Sequence, residues 1–165
     1  FRETLAPTEI DLSAVKRVKV AEITIPKPGG DYLFIFFQNP DSKAESYRIF
    51  PLEDSLSTLP YGSVRFFNAT KHQLIGKLDK KNISIGLGPS KVYRLKGSSH
   101  SLDYGFEYDG KFHLSYQGPF QLSEDMRGIF MLSPPYIKGS ALLQTRFLID
   151  RRLSEEVNKN FEQLD

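Results

Sequence analysis

The feature that most constrains the fold is a series of short apolar or alternating runs between Val15 and Asp150, each ended by a turn signal. Gly, Pro, Asn and Asp interrupt the chain between these runs. Such spacing is typical of a layered antiparallel β protein, a sandwich or a barrel, rather than of βαβ units. We predict a mostly β chain that forms an antiparallel β-sandwich. The predicted strands are Val15–Ile25, Tyr32–Phe37, Tyr47–Phe50, Val64–Phe67, Leu74–Leu78, Ile83–Leu87, Val92–Leu95, Tyr104–Tyr108, Phe112–Tyr116, Gly128–Leu132 and Ala141–Ile149.

Length and composition favour one domain that spans residues 1–165. A chain of 165 residues has the usual size of a single domain and buries roughly 70% of the surface that its unfolded form exposes. Hydrophobic residues make up 39% of the sequence, with 13 Phe and 8 Tyr, which is enough for one core. Residues 1–11 show mixed charge and little periodicity, so we expect a mobile leading segment.

Charge, cysteine content and hydropathy each limit the partners and the location of the protein. The formal net charge is +2 and basic residues are spread along the chain, whereas nucleic-acid binders concentrate them, so we expect no nucleic-acid partner. The absence of cysteine excludes disulfides, thiolate catalysis and zinc ribbons. No apolar run approaches the ~20 residues of a membrane span, so we predict no transmembrane segment. Phe1 in place of an initiator Met favours a trimmed, exported protein: periplasmic, cell-surface or secreted.

The sequence changes character after Asp150 and predicts a short C-terminal helix over residues 153–164. Ser154 is suited to cap the helix, and two acids follow it where the helix dipole favours them. Four apolar residues then fall on one helical face: Leu153, Val157, Phe161 and Leu164. The stripe needs a surface to pack on, either its own sandwich or a partner or second copy.

The clearest β-hairpin lies between Leu102 and Tyr116. A two-residue loop, Asp109-Gly110, would place Phe106 opposite His113 and so mix apolar with polar residues. A three-residue loop that begins at Tyr108 would instead place Phe106 opposite Phe112. Since every pair then matches in chemistry, we predict the three-residue loop.

The sequence contains no recognisable catalytic or metal-binding motif, and we predict a non-enzymatic chain with no metal and no cofactor. The three histidines, His72, His100 and His113, lie in separate segments without metal-ligand spacing. Ser99, His100 and Asp103 alternate in direction on a strand and would not form a relay. The adjacent acids Glu53-Asp54 and Glu124-Asp125 are expected to be solvated loop residues.

Exposed aromatic side chains offer the best route to ligand binding. Tyr108, at the hairpin tip, and Tyr136, after Pro134-Pro135, are the predicted ligand-binding residues. Tyrosine combines a flat apolar ring with a polar hydroxyl group, so both residues also suit the rim of a core. The chain has no Trp, the residue most used in flat sugar-binding platforms.

The stretch Pro60-Tyr-Gly-Ser-Val-Arg-Phe-Phe-Asn68-Ala-Thr70, followed by Leu87-Gly-Pro89, resembles a strand–loop–strand of small exported bacterial immunoglobulin-like or transthyretin-like domains. The resemblance covers about a fifth of the chain. It implies an immunoglobulin-like or similar sandwich and an adhesive or uncharacterised role, with no enzymatic activity.

Together these observations predict a non-catalytic, exported binding domain that engages a protein or a cell-surface component. The alternative is a carbohydrate-binding module, whose partner would be a surface polysaccharide. The sequence does not predict the oligomeric state.

Overall fold

The computed structural model describes residues 19–26, 29–38 and 46–152. Most of these residues form strands joined by turns and loops, in keeping with the alternation of apolar and polar residues along the sequence. The strands are β1 Tyr32–Gln38, β2 Tyr47–Glu53, β3 Ser63–Asn68, β4 Leu74–Leu78, β5 Lys81–Ile85, β6 Gly88–Pro89, β7 Tyr93–Arg94, β8 Ser99–Tyr108, β9 Lys111–Gln121, β10 Met126–Ser133 and β11 Gln144–Arg151.

The predicted strand Val15–Ile25 is wrong over its described part. Residues 19–25 belong to no strand, although the Tyr47 amide donates one hydrogen bond to the Val20 carbonyl at 2.9 Å. Ala21 interrupts the alternation at this point, and Val20 is 44% exposed, so a continuous ladder would bury little apolar surface here. Residues 15–18 lie outside the described residues, as does the leading segment 1–11.

The chain divides into two compact units. The first comprises Phe1–Gly29 and Leu33–Leu52, and it contains most of the two-stranded sheet formed by β1 and β2. The second comprises Gly30–Tyr32 and Glu53–Asp165. The expectation of a single domain over residues 1–165 stays a prediction.

The second unit contains two sheets that fit a β-sandwich. One has the order β11-β10-β3-β6, with the short strand β7 also paired to β3, and the other has the order β5-β4-β8-β9. Both sheets contribute to one core of apolar side chains. The Phe120 ring, from β9, lies edge-on to the Phe130 ring of β10 with their centroids 5.0 Å apart. The buried members of this core are Val64, Phe66, Leu74, Leu78, Ile83, Ile85, Leu102, Tyr104, Phe106, Phe120, Leu122, Phe130, Leu132 and Leu143.

The predicted fold class, a mostly antiparallel β-sandwich with a short C-terminal helix, is wrong in its helix. The described residues are all β and contain no helix, while the predicted helix over residues 153–164 lies outside them. One strand pair is parallel: β3 runs beside β10 with Phe66 opposite Phe130. Parallel partners need a long connection, and here the chain passes through the whole β4–β9 region between them.

The hairpin between β8 and β9 has the two-residue loop, so the predicted three-residue loop is wrong. Tyr108 pairs with Lys111, and Asp109 and Gly110 both have positive φ, 53° and 70°, as tight hairpin turns with right-handed strand twist require. Phe106 therefore faces His113. Aromatic stacking replaces the expected apolar match, since their ring centroids are 5.9 Å apart.

A buried polar turn follows β3. The Asn68 side chain, 2% exposed, donates to the His72 carbonyl at 2.8 Å and accepts from the Thr70 amide and hydroxyl at 3.0 and 2.7 Å. The side-chain amide of Asn68 also donates to the Ile85 carbonyl on β5 at 3.4 Å. Asn68 therefore provides hydrogen-bond partners for backbone groups of two segments, as buried backbone polar groups require.

Replacing Asn68 with Ala is expected to destabilise the fold by about 2–4 kcal/mol, because several buried donors and acceptors lose their partner together. Urea unfolding monitored by circular dichroism measures this change. Asn82→Ala is the matched control: Asn82 is exposed on β5, and its replacement should change the unfolding free energy by less than about 0.5 kcal/mol. Equal effects of the two substitutions would contradict the role of Asn68.

The Tyr104 hydroxyl is buried in the core and hydrogen-bonds to the Thr145 hydroxyl. Burial raises the pKa of Tyr104 to about 12, above the ordinary value of about 10 for an unfolded chain. A group whose pKa is raised by folding contributes stability below its unfolded pKa and loses it as pH rises toward the folded pKa. We expect the chain to lose about 2–3 kcal/mol of unfolding free energy between pH 9 and 12 through this residue.

Tyr104→Phe should remove this part of the alkaline destabilisation, although it also removes the hydrogen bond to Thr145. Guanidinium unfolding at pH 8, 10 and 11.5 measures the slope. A variant whose stability falls with pH as steeply as that of the unmodified chain would contradict the assignment.

Candidate functional site

The described residues hold no cluster of three or more His, Asp or Glu side chains that could bind a metal ion. The hydrogen-bond partners of the His100 side chain, Asp79 and Gly97, are not shared with His72 or His113. The buried imidazole of His100 lies 3.1 Å from the Asp79 carboxylate through Nδ1 and 3.3 Å from the Gly97 carbonyl through Nε2. The rings of His72 and of His113, a residue of β9, instead both stack on the ring of Phe106 on β8.

The His100–Asp79 pair closes a turn rather than forming a relay. Asp79 begins the loop between β4 and β5, and its carboxylate accepts from the Ser101 amide at 2.9 Å. Burial opposes the charged form of Asp79, but the hydrogen bonds from Ser101 and His100 outweigh it and hold the pKa of this carboxyl group below its ordinary value. Asp103 accepts from the Lys77 amide at 2.8 Å. The structure therefore does not bring Ser99, His100 and Asp103 together.

Asp54 is an acid whose surroundings change its pKa, contrary to its prediction as a solvated loop residue. Burial raises the pKa of its carboxyl group, Arg127 opposes the shift, and Asp150 adds to it. Arg127 Nε donates to Asp150 at 2.6 Å, while Nη1 donates to the Asp54 carbonyl at 2.6 Å. The guanidinium group thus connects β10, β11 and the segment before β3, which is a structural role. Sequence spacing gives no sign of this contact.

Tyr108 belongs to a group of four rings that we call the hairpin cluster: His72, Phe106, Tyr108 and His113. His72 stacks on Phe106 at 4.3 Å between centroids, and Tyr108 lies 6.2 Å from His72 and 6.4 Å from His113. The Asn68 turn positions the backbone of His72. Phe106 is buried, whereas Tyr108 is 62% exposed and presents its ring beside the two imidazoles.

The outer face of the four-stranded sheet carries an apolar patch, formed by Ile75, Phe112 and Leu114. These side chains are 39%, 52% and 46% exposed. Ile75 and Leu114 flank Gly105 on its two neighbouring strands. A Cβ atom at Gly105 would lie 2.7 Å from the Phe112 ring, so the ring rests against the glycine. The sheet therefore holds Phe112 in a defined position while leaving half of it exposed.

Tyr136, the second predicted ligand-binding residue, lies in the loop between β10 and β11. It is 82% exposed, and its neighbour Ile137 is 75% exposed. Among the residues that the structure describes, no ring contact joins Tyr136 to Tyr108 or to another member of the hairpin cluster. The Gln144 side chain donates to the Pro134 carbonyl at 2.7 Å and anchors the start of this loop.

The two halves of the Pro60–Thr70 and Leu87–Pro89 motif lie side by side, because β6 pairs with the end of β3 and Asn68 faces Gly88. In the part of the chain described, no helix has the length and apolar character needed to cross a membrane. No protein-family model matches this chain, and no curated protein sequence matches it. The resemblance to immunoglobulin-like or transthyretin-like domains stays a prediction.

Proposed function

We propose that this chain is a non-catalytic, exported binding domain that engages another protein or a cell-surface component through the apolar patch. The observation that carries the proposal is the exposure of Ile75, Phe112 and Leu114 together on one sheet face. Adjacent exposed apolar side chains are characteristic of interaction sites, whereas single ones are ordinary.

The setting of the patch supports this role. Glu107 is the cross-strand partner of Phe112 at one end of the patch. At the other end, Lys77 pairs with Asp103, two residues along the strands from the Ile75–Gly105 pair. An apolar centre with a charged rim is the usual anatomy of a protein interface. Because the Phe112 ring packs on Gly105, its side chain would lose little conformational entropy on binding, and the entropic cost of association is lower.

Paired substitutions test the proposal. Phe112→Ser combined with Leu114→Ser should abolish capture of specific proteins or surface components from native extract of the source cells, measured by quantitative mass spectrometry against the unmodified chain. Leu142→Ser, at a 68% exposed loop position, is the control and should retain them. Identical capture by all three chains, or no specific capture by any, would contradict the proposed function.

A carbohydrate-binding module is the second candidate, and the exposed ring of Tyr108 within the hairpin cluster favours it. Flat rings complement the C–H faces of sugars, and the flanking imidazoles of His72 and His113 add polar nitrogen atoms nearby. In this alternative, the ligand is a surface polysaccharide.

Titration with cell-wall polysaccharides, followed by tyrosine fluorescence, tests the alternative. Saturable quenching that is lost in Tyr108→Ala or Tyr136→Ala, but kept in the Phe112→Ser and Leu114→Ser chain, would favour the carbohydrate-binding function over the protein-binding one. An absence of quenching across the polysaccharides would count against it. Export is part of both proposals, and detection of the native protein in the cytosolic fraction would contradict it.

A further inference from the structure

Strand β11 forms one edge of its sheet. It ends the five-stranded sheet, and no strand within the described residues pairs with its outer side. All eight of its residues pair with β10 without a bulge. Natural edge strands are usually blunted by proline, bulges, short length or charged side chains, and of these β11 has the charged residues Arg146, Asp150 and Arg151. The edge strand β9 has both a bulge and Pro119, whereas β11 has neither.

The direction of the free backbone groups follows from one hydrogen bond. The Arg152 amide donates to the Asp125 carbonyl at 2.8 Å, in the same register as the β10–β11 pairs. Since backbone groups alternate in direction along a strand, the even-numbered residues of β11 bond to β10. The amides and carbonyls of Thr145, Phe147, Ile149 and Arg151 therefore face outward.

We propose that two copies of this chain associate through β11, antiparallel to each other, about a twofold axis at Leu148. In this register Phe147 lies opposite Ile149 of the partner subunit, and Arg146 lies opposite Asp150 of the partner subunit. The outward-facing backbone groups then bond to each other, and Leu148 meets its own copy. The two five-stranded sheets become one continuous sheet.

Charge and exposure both favour this register. Leu148 and Ile149 are 45% and 51% exposed, and the pairing covers them. The Asp150 carboxylate accepts from Arg127 on β10, so Arg146 from the partner subunit would complete an Arg–Asp–Arg row across the strands. Moving the axis to Ile149 would place Leu148 opposite Asp150, and moving it to Phe147 would place Arg146 opposite Leu148. Only the Leu148 axis matches charge with charge and apolar with apolar.

The proposed dimer does not depend on the apolar patch, which lies on the other sheet. One strand pair is a small contact beside the ~1,600 Å² of a standard interface, so the dimer is expected to be reversible. Leu114, on β9, offers a matched control because its exposure, 46%, is nearly that of Leu148.

Sedimentation velocity over a concentration series tests the association. The unmodified chain should shift from monomer to dimer as concentration rises. Leu148→Lys places two like charges at the axis and should weaken the dimer at least about tenfold, while Leu114→Lys should leave the dissociation constant within about twofold. A chain that stays monomeric up to about 500 µM, or a dimer that resists Leu148→Lys, would overturn the proposal. Loss of the dimer in Leu114→Lys alone would move the contact to β9 and also overturn it.

A disulfide test does not depend on the folding of the lysine variants. The chain has no cysteine, so Leu148→Cys introduces a sole thiol at a non-hydrogen-bonded cross-strand pair, where the two Cα atoms lie close enough for a disulfide. Under mild oxidation it should form a covalent dimer at least about tenfold faster than Leu114→Cys. Equal rates of disulfide formation would overturn the proposal, and the edge of β11 would then be a candidate site for a strand of a different protein.

Discussion

The second unit depends on the contact of Phe120 with two rings of the opposite sheet. Phe130 and Phe147 stack at 4.1 Å between centroids, and Phe120 meets both edge-on at 5.0 and 5.3 Å. Phe66 extends the stack on β3. Because edge-to-face packing of aromatic rings favours particular orientations, this contact fixes the spacing of the sheets, and thereby which side chains remain on the outer faces.

The division between inner and outer faces explains why the chemistry-bearing residues have structural roles. His100 and Asp79 tie β8 to the loop after β4, and Arg127 joins three segments through carboxylate and carbonyl acceptors. These groups are largely engaged by the fold itself. Three exposed features remain: the apolar patch, the ring of Tyr108, and the edge of β11. Their chemistry suits recognition, which is why the proposals concern binding surfaces.

Alternation predicts most strands because burial of one sheet face sets a period of two, as in β4, whose predicted and observed bounds coincide at Leu74–Leu78. The same reasoning failed for the hairpin register because it matched cross-strand pairs by hydropathy alone. The stacking of His72 on Phe106 joins residues distant in sequence and leaves no local signal in the hairpin. The parallel pairing of β3 with β10 and the Asp79–His100 contact are also long-range and have no local signal. Tyr108 and Tyr136 are exposed, as their prediction requires. The patch at Phe112 was missed because the predicted register paired that residue with Phe106, whereas the structure pairs it with Glu107.

A double-mutant cycle between Phe120 and Phe130 tests the packing of the two sheets most directly. Each ring is replaced by Leu, alone and together, and unfolding free energies are measured in urea. The structure predicts a coupling of about 0.5–1.5 kcal/mol, the range for an aromatic pair in contact. The same cycle between Phe112 and Phe130, which lie on an outer face and in the core, should give a coupling near zero. Additive effects at Phe120 and Phe130 would contradict the packing of one sheet on the other.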